Sequence, residues 1–126
     1  MVDEILDLVP GKSVRASKSL PAGEELFRDH FPGFPVVPGV LLVEMMGQAA
    51  AKCLDADSTP RGRAMLGKIH SASFRDWVRP DENITLLAEI KQNRDKFAVA
   101  ICSAEVSGRK VADAELFFVF MPREAA

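Results

Sequence analysis

At 126 residues, with 48% apolar and 27% charged side chains, the chain has the size and composition of one globular domain, 1–126, with room for a real core. A formal net charge of −2 gives no overall pull toward nucleic acid or an anionic membrane. The acidic start MVDEILDLV lacks the basic n-region of a secretory signal, and no apolar run reaches the length of a membrane span without Pro, Gly or a charge, so the cytoplasm is the expected compartment.

In chain order, Ile5 to Leu20 holds two short apolar segments separated by Pro10-Gly11, a strand–turn–strand signal. Glu24 to Phe27 is read as a single helical turn leading into a Pro/Gly-rich loop. From Val40 to Leu54 the strongly polar residues are Glu44, Gln48 and Lys52, four apart, which places them on one narrow stripe of an otherwise apolar helix. Such a helix is expected to be buried, and Gly47 with Ala49 to Ala51 keeps its body slim enough for a sheet to wrap it. Asp55 to Gly62 reads as a surface loop. Met65 to Val78, Ile84 to Gln92, Phe97 to Val106 and Val111 to Met121 carry strand-like apolar segments, and Ser107-Gly108 between the last two is a hairpin signal. The expected class is α+β, an antiparallel sheet rolled around one central helix. Cys53 and Cys102 lack metal-type spacing and fall in apolar segments, which suits reduced core thiols.

The chemistry concentrates in HFPGFPVVPGVLLVEMMGQ, residues 30–48. Pro32, Gly33, Pro35, Pro38 and Gly39 stiffen or free the backbone at chosen points, which is what an aimed side chain needs. The plain alternative is a tight turn feeding a helix. His30 in that loop has a side chain that accepts a proton near neutral pH; its alternative is a packed or surface histidine. Glu44 on an apolar face is expected to be desolvated and so to hold a proton near neutrality; its alternative is a structural acid. Gln48, one turn on, can hold Glu44 or a water, or pair with sheet backbone. Gly39, in the first helical turn, presents a backbone N–H with no intrahelical partner to a developing negative charge. Base, acid and oxyanion donor suggest proton removal beside a carbonyl, with loss or gain of water.

These residues resemble the hot-dog (3R)-hydroxyacyl-acyl-carrier-protein dehydratases, whose pattern H-F-P-G-x-P-x-x-P-G-V-L-x-x-E-x-x-x-Q runs from His30 through Gln48. Weaker agreement covers PGKSVRASKSL, SFRDWVRPDENITLLAEI and ADAELFFVF. The resemblance implies that His30 is the catalytic base and Glu44 the acid acting on the C3 hydroxyl or water. It also implies that the Gly39 N–H binds the thioester carbonyl, with Gln48, Phe31 and Val40 as further substrate contacts. It implies a homodimer whose sites draw His and Glu from different subunits, in some cases assembled as a trimer of dimers. Asp29, Trp77 and Asp81 stand where the family usually has Gly, Pro and Gly.

The implied partner is an acyl carrier protein bearing the substrate. That partner is acidic, so Lys68, Arg75, Arg79, Arg94, Lys96, Arg109 and Lys110 are candidates for docking it, each with a solvated sheet charge as its alternative. Phe27, Phe31, Phe34, Phe74 and Trp77 are collective candidates for an acyl channel. His70 has no motif partner and reads as structural or exposed. No phosphate loop, dinucleotide fingerprint or metal spacing is present in the sequence, so no cofactor or metal is expected. Two other functions stay open: a hot-dog acyl-thioester hydrolase, and a non-catalytic protein that binds the acyl carrier.

Overall fold

The structure, a computed structural model, describes residues 3–20, 37–57 and 62–122. Strand β1 (Glu4–Val9) and β2 (Ser13–Lys18) are followed by helix α1 (Gly39–Asp55). Strands β3 (Arg63–Phe74), β4 (Ile84–Asn93), β5 (Phe97–Val106) and β6 (Arg109–Met121) complete the order. The six strands form one antiparallel sheet ordered β1-β2-β4-β5-β6-β3, with α1 packed against its concave face. The α+β expectation is met. The Glu24–Phe27 turn, and the loop residues His30 to Pro35, lie outside the described residues.

Both turn signals have a backbone cause. Pro10 and Gly11 occupy the corners of a turn closed by the Lys12 N–H donating to the Val9 carbonyl at 2.9 Å, and Gly11 takes φ +71°. The Gly11 N–H then donates to the carbonyl of Cys53 at 3.0 Å, tying the first hairpin to the last turn of α1. At the β5–β6 hairpin, Ser107 (φ 53°) and Gly108 (φ 78°) are both left-handed, the pattern of a type I′ turn whose twist suits the strands it joins. Asp81, where the family usually has Gly, also sits at positive φ (68°), which an aspartate tolerates better than most side chains.

The core lies between α1 and the sheet. Met45, Met46, Ala49, Ala50 and Cys53 on the helix are fully buried against Leu86, Ala100, Leu116 and Phe118. Alanines recur on the concave face, at positions 16, 88, 100, 104, 112 and 114. Small side chains on both surfaces allow the helix to lie close to the strands. Gly47 is not needed for that approach. A Cβ there would stand 3.7 Å from Leu116 Cδ1 and 3.9 Å from Leu66 Cδ2, ordinary contact distances. Gly47→Ala is therefore expected to raise stability by about 0.5–1 kcal/mol through helix propensity, read as a higher urea midpoint with an unchanged slope.

Both cysteines are buried free thiols. Burial pushes the Cys102 thiol up to about 12 and raises that of Cys53 as well, against backbone hydrogen bonds that act in the opposite sense. At pH 8 the thiolate fraction of Cys102 is on the order of one in ten thousand. A thiol reagent is expected to leave Cys102 unmodified at that pH until the protein is unfolded.

Two expectations are corrected. Strand β3 runs from Arg63 to Phe74 rather than from Met65 to Val78. After Phe74 the chain leaves the sheet and turns back toward the start of α1. There Val78 is 1% exposed and its carbonyl accepts the Val37 N–H at 2.7 Å. The apolar run thus continues as a plug beneath the helix entrance, which hydropathy alone does not distinguish from a strand. The second correction concerns Glu44. It is exposed rather than buried in the single chain, because α1 leaves the stripe Val40, Glu44, Lys52 open with Gln48 half-buried between them.

Candidate active site

Helix α1 starts at Gly39, with Pro38 as its extended N-cap residue (φ −60°, ψ 142°). A proline has no side-chain acceptor for the first-turn donors, and no acid lies in that turn. The Pro38 carbonyl accepts from Leu41 at 3.0 Å and from Leu42 at 3.3 Å, while the Gly39 N–H has no partner among the described residues. The Gly39 N–H lies at the positive end of the helix, which favours an oxygen carrying negative charge. Val37, 5% exposed and bonded to Val78, anchors the entering chain. The Phe74 ring lies against Gly39: a Cβ built there would stand 3.0–3.2 Å from three ring carbons. Any side chain at this position displaces the ring, so glycine keeps the amide accessible beside it.

One turn further, Val40, Glu44 and Gln48 open into a cavity of about 670 Å³ between α1 and strand β3. The polar stripe seen in the sequence is one wall of this cavity, and Met65, Leu66 and Ile69 of β3 form the facing apolar wall. The structure thus brings together Val40, Glu44 and Gln48, with Gly39 adjacent at the helix start. His30 and Phe31 lie outside the described residues, as do Phe27 and Phe34. Phe74 and Trp77 are 52% and 58% exposed. The sequence reading missed the β3 wall, because strand periodicity does not reveal which helix a strand will face.

Of the proposed docking cations, two are engaged in ion pairs. The Arg75 Nε donates to Asp113 at 2.7 Å, and the Arg109 Nε lies 2.8 Å from Asp76 Oδ2. Arg94 also has a partner. His70 is on the opposite face of the sheet from α1, stacked on Phe117 with ring centroids 5.8 Å apart, and its Nδ1 lies 3.7 Å from Glu115. That face holds a second, polar concavity of about 620 Å³ lined by Arg15, Glu89, Asp113 and Glu115, remote from the motif. Among the described residues no helix is long and apolar enough to cross a membrane, and no grouping of His, Cys, Asp and Glu suits a metal.

A sheet curled around one central helix, with a cavity at the helix start, defines a hot-dog protein. Solved structures share the arrangement at low sequence identity. The dehydratase heterocomplex ApeI:P from Xenorhabdus doucetiae matches with a TM-score of 0.78 at 12% identity, over 97% of this chain and 83% of that one. A hypothetical thioesterase with coenzyme A from Streptococcus pneumoniae TIGR4 matches with a TM-score of 0.73, also at 12% identity, over 94% and 88%. The fold is thus common to dehydratases and thioesterases and does not choose between them.

Sequence makes the choice. The model of the ApeI-like family, ApeI dehydratase, matches residues 8–112. A 3-hydroxyacyl-acyl-carrier-protein dehydratase, FabZ, of Lactobacillus helveticus (strain DPC 4571) is 38% identical over 119 residues, 94% of this chain and 80% of the relative. The chain belongs to this dehydratase family.

Proposed function

We propose that the protein removes water from a (3R)-3-hydroxyacyl group carried as a thioester on an acyl carrier protein, giving the trans-2-enoyl thioester, in acyl-chain biosynthesis. Family membership supports the reaction. The observation in this structure that carries it is Glu44 opening, with Gln48, into a cavity whose facing wall on β3 is apolar, on the helix whose first residue, Gly39, has an N–H with no partner among the described residues. His30 takes the C2 proton, and the thioester oxygen, gaining enolate character, accepts a hydrogen bond from the Gly39 N–H. Glu44 delivers a proton to the C3 hydroxyl, which leaves as water while the C2–C3 double bond forms. His30 then gives up the proton it took and Glu44 regains one, both through solvent. Gln48 holds the Glu44 carboxyl, and Val40 and Phe31 contact the substrate.

The active unit in this reading is a homodimer with His30 and Glu44 of each site drawn from different subunits. Two features support it. Strand β3 lies at the sheet edge, paired on one side only among the described residues. Its Met65, Leu66 and Ile69 are 43–50% exposed, and Phe74 is more so. A twelve-residue edge strand that exposes these large apolar side chains is an aggregation hazard unless another chain covers it. Sedimentation of the purified protein is expected to show a dimer or a trimer of dimers; a monomer that turns over substrate rules out the shared site. Reaction class is tested with hydroxyacyl-carrier substrates by mass spectrometry. The expected product is 18 Da lighter and still on its carrier, the mass of one water lost, ~18 Da, being simple stoichiometry of the dehydration. Free acid with released thiol instead identifies a thioester hydrolase.

A further inference from the structure

The cavity beside Glu44 is apolar along its length but not at its far end. Val43, Gly47 and Ala51 of the helix face Leu66 and Phe118 of the sheet, and beyond them stand Lys52, Asp55 and Arg63. Lys52 is two turns past Glu44, about 12 Å along the helix axis. Arg63 borders the same end of the cavity, where Asp55, at the end of α1, accepts the Ala64 N–H at 2.8 Å and so pins the start of β3 to the helix terminus. That bond occupies Asp55 Oδ1. Lys52 and Arg63 are both exposed, and among the described residues neither has an ion-pair partner. Two cations and one partly engaged carboxylate leave this end net positive.

An acyl chain running from the thioester past Glu44 and along the apolar walls reaches these cations. Three backbone bonds advance about 3.5 Å, so about 12 Å corresponds to on the order of ten bonds. A terminal methyl gains little there, because the groups around it are exposed and charged rather than apolar. A terminal carboxylate meets an ammonium and a guanidinium, whose charge-assisted hydrogen bonds are the strong kind. At that distance it is also beyond a Debye length of about 8 Å from Glu44, so the repulsion is screened. We infer that the cavity between α1 and β3 selects acyl chains ending in a carboxylate, with Lys52 and Arg63 as the specificity-determining residues at its far end. This rests on the dehydratase reading for the direction in which the chain lies.

The test uses the purified native assembly and pairs of trans-2-enoyl pantetheine thioesters of equal length, from about eight to twelve carbons, one ending in a methyl and one in a carboxylate. Hydration is followed by loss of the enoyl absorbance. The expected result is a kcat/KM ratio, carboxylate-ended over methyl-ended, on the order of ten or more at the best length. Lys52→Met and Arg63→Met are expected to lower that ratio toward one, while Lys52→Arg and Arg63→Lys, which keep the charge, restore most of it. A wild-type ratio of one or below overturns the inference, as does an equal loss on both members of a pair in the Met variants. Turnover of a four-carbon enoyl thioester, too short to reach Lys52, reports separately on the dehydratase reading. If no thioester turns over, that reading fails, and calorimetric binding of the same pairs decides the selectivity by the same ratio.

Discussion

His30→Ala and Glu44→Gln are each expected to lower kcat for hydration of a crotonyl thioester by about 10²- to 10⁴-fold, the range for losing a positioned general acid or base. Glu44 is exposed on the helix surface, so its near-isosteric replacement is expected to change stability by less than about 0.5 kcal/mol. An unchanged far-UV spectrum and melting temperature separate loss of chemistry from loss of fold. Mixing the two variants under conditions that exchange subunits provides a sharper result. If each site takes His30 from one chain and Glu44 from the other, every mixed dimer has one intact site and one doubly defective site. Half of the dimers are mixed, so about a quarter of wild-type activity returns. No recovery after verified exchange places both residues of a site in one chain. Full activity in either single variant removes the role assigned to that residue.

Phe118→Ala is expected to cost about 3–5 kcal/mol, the largest stability effect of any single truncation considered for this fold. Phe118 is 1% exposed and heads the fully buried side chains by volume. It lies in β6, between Leu66 of β3 and Ala98 of β5, and also faces the cavity beside Glu44. Its neighbours sit in a close-packed interior and its strand is paired on both sides, so little can collapse into the space it leaves. The measurement is the urea midpoint at constant slope. A loss below about 1 kcal/mol would mean that the helix–sheet contact relaxes freely around this position. The contrast with Gly47→Ala is informative: both residues border the same cavity, yet one change opens a void and the other fills room already present.

Much of the fold was legible because its causes are local. Pro10-Gly11 and Ser107-Gly108 announced turns because those turns need left-handed backbone, which glycine supplies. The Val40–Leu54 pattern located α1 to within one residue at each end, since a helix hides one face at a period of 3.6. The β5 boundaries, Phe97 and Val106, followed in the same way. The Val78 end of β3 did not. Whether an apolar run is strand or plug depends on what it bonds to, and the partner of Val78 is Val37, far earlier in the chain.

The site divides along the same line. The sequence by itself determined which polar residues share a helical stripe, since Glu44, Gln48 and Lys52 follow from spacing alone, and it put Gly39 in the first turn of the helix. Only the tertiary structure decided that this stripe stays open instead of buried, and that β3 is the strand facing it. It also decided that Arg63 and Lys52 border one cavity, at the end where Asp55 accepts the Ala64 N–H. The physical reason is that spacing encodes direction around one element, whereas burial is a property of two surfaces. Strand order β1-β2-β4-β5-β6-β3, which sends the third strand to the edge beside the sixth, is set by pairings between residues dozens of positions apart.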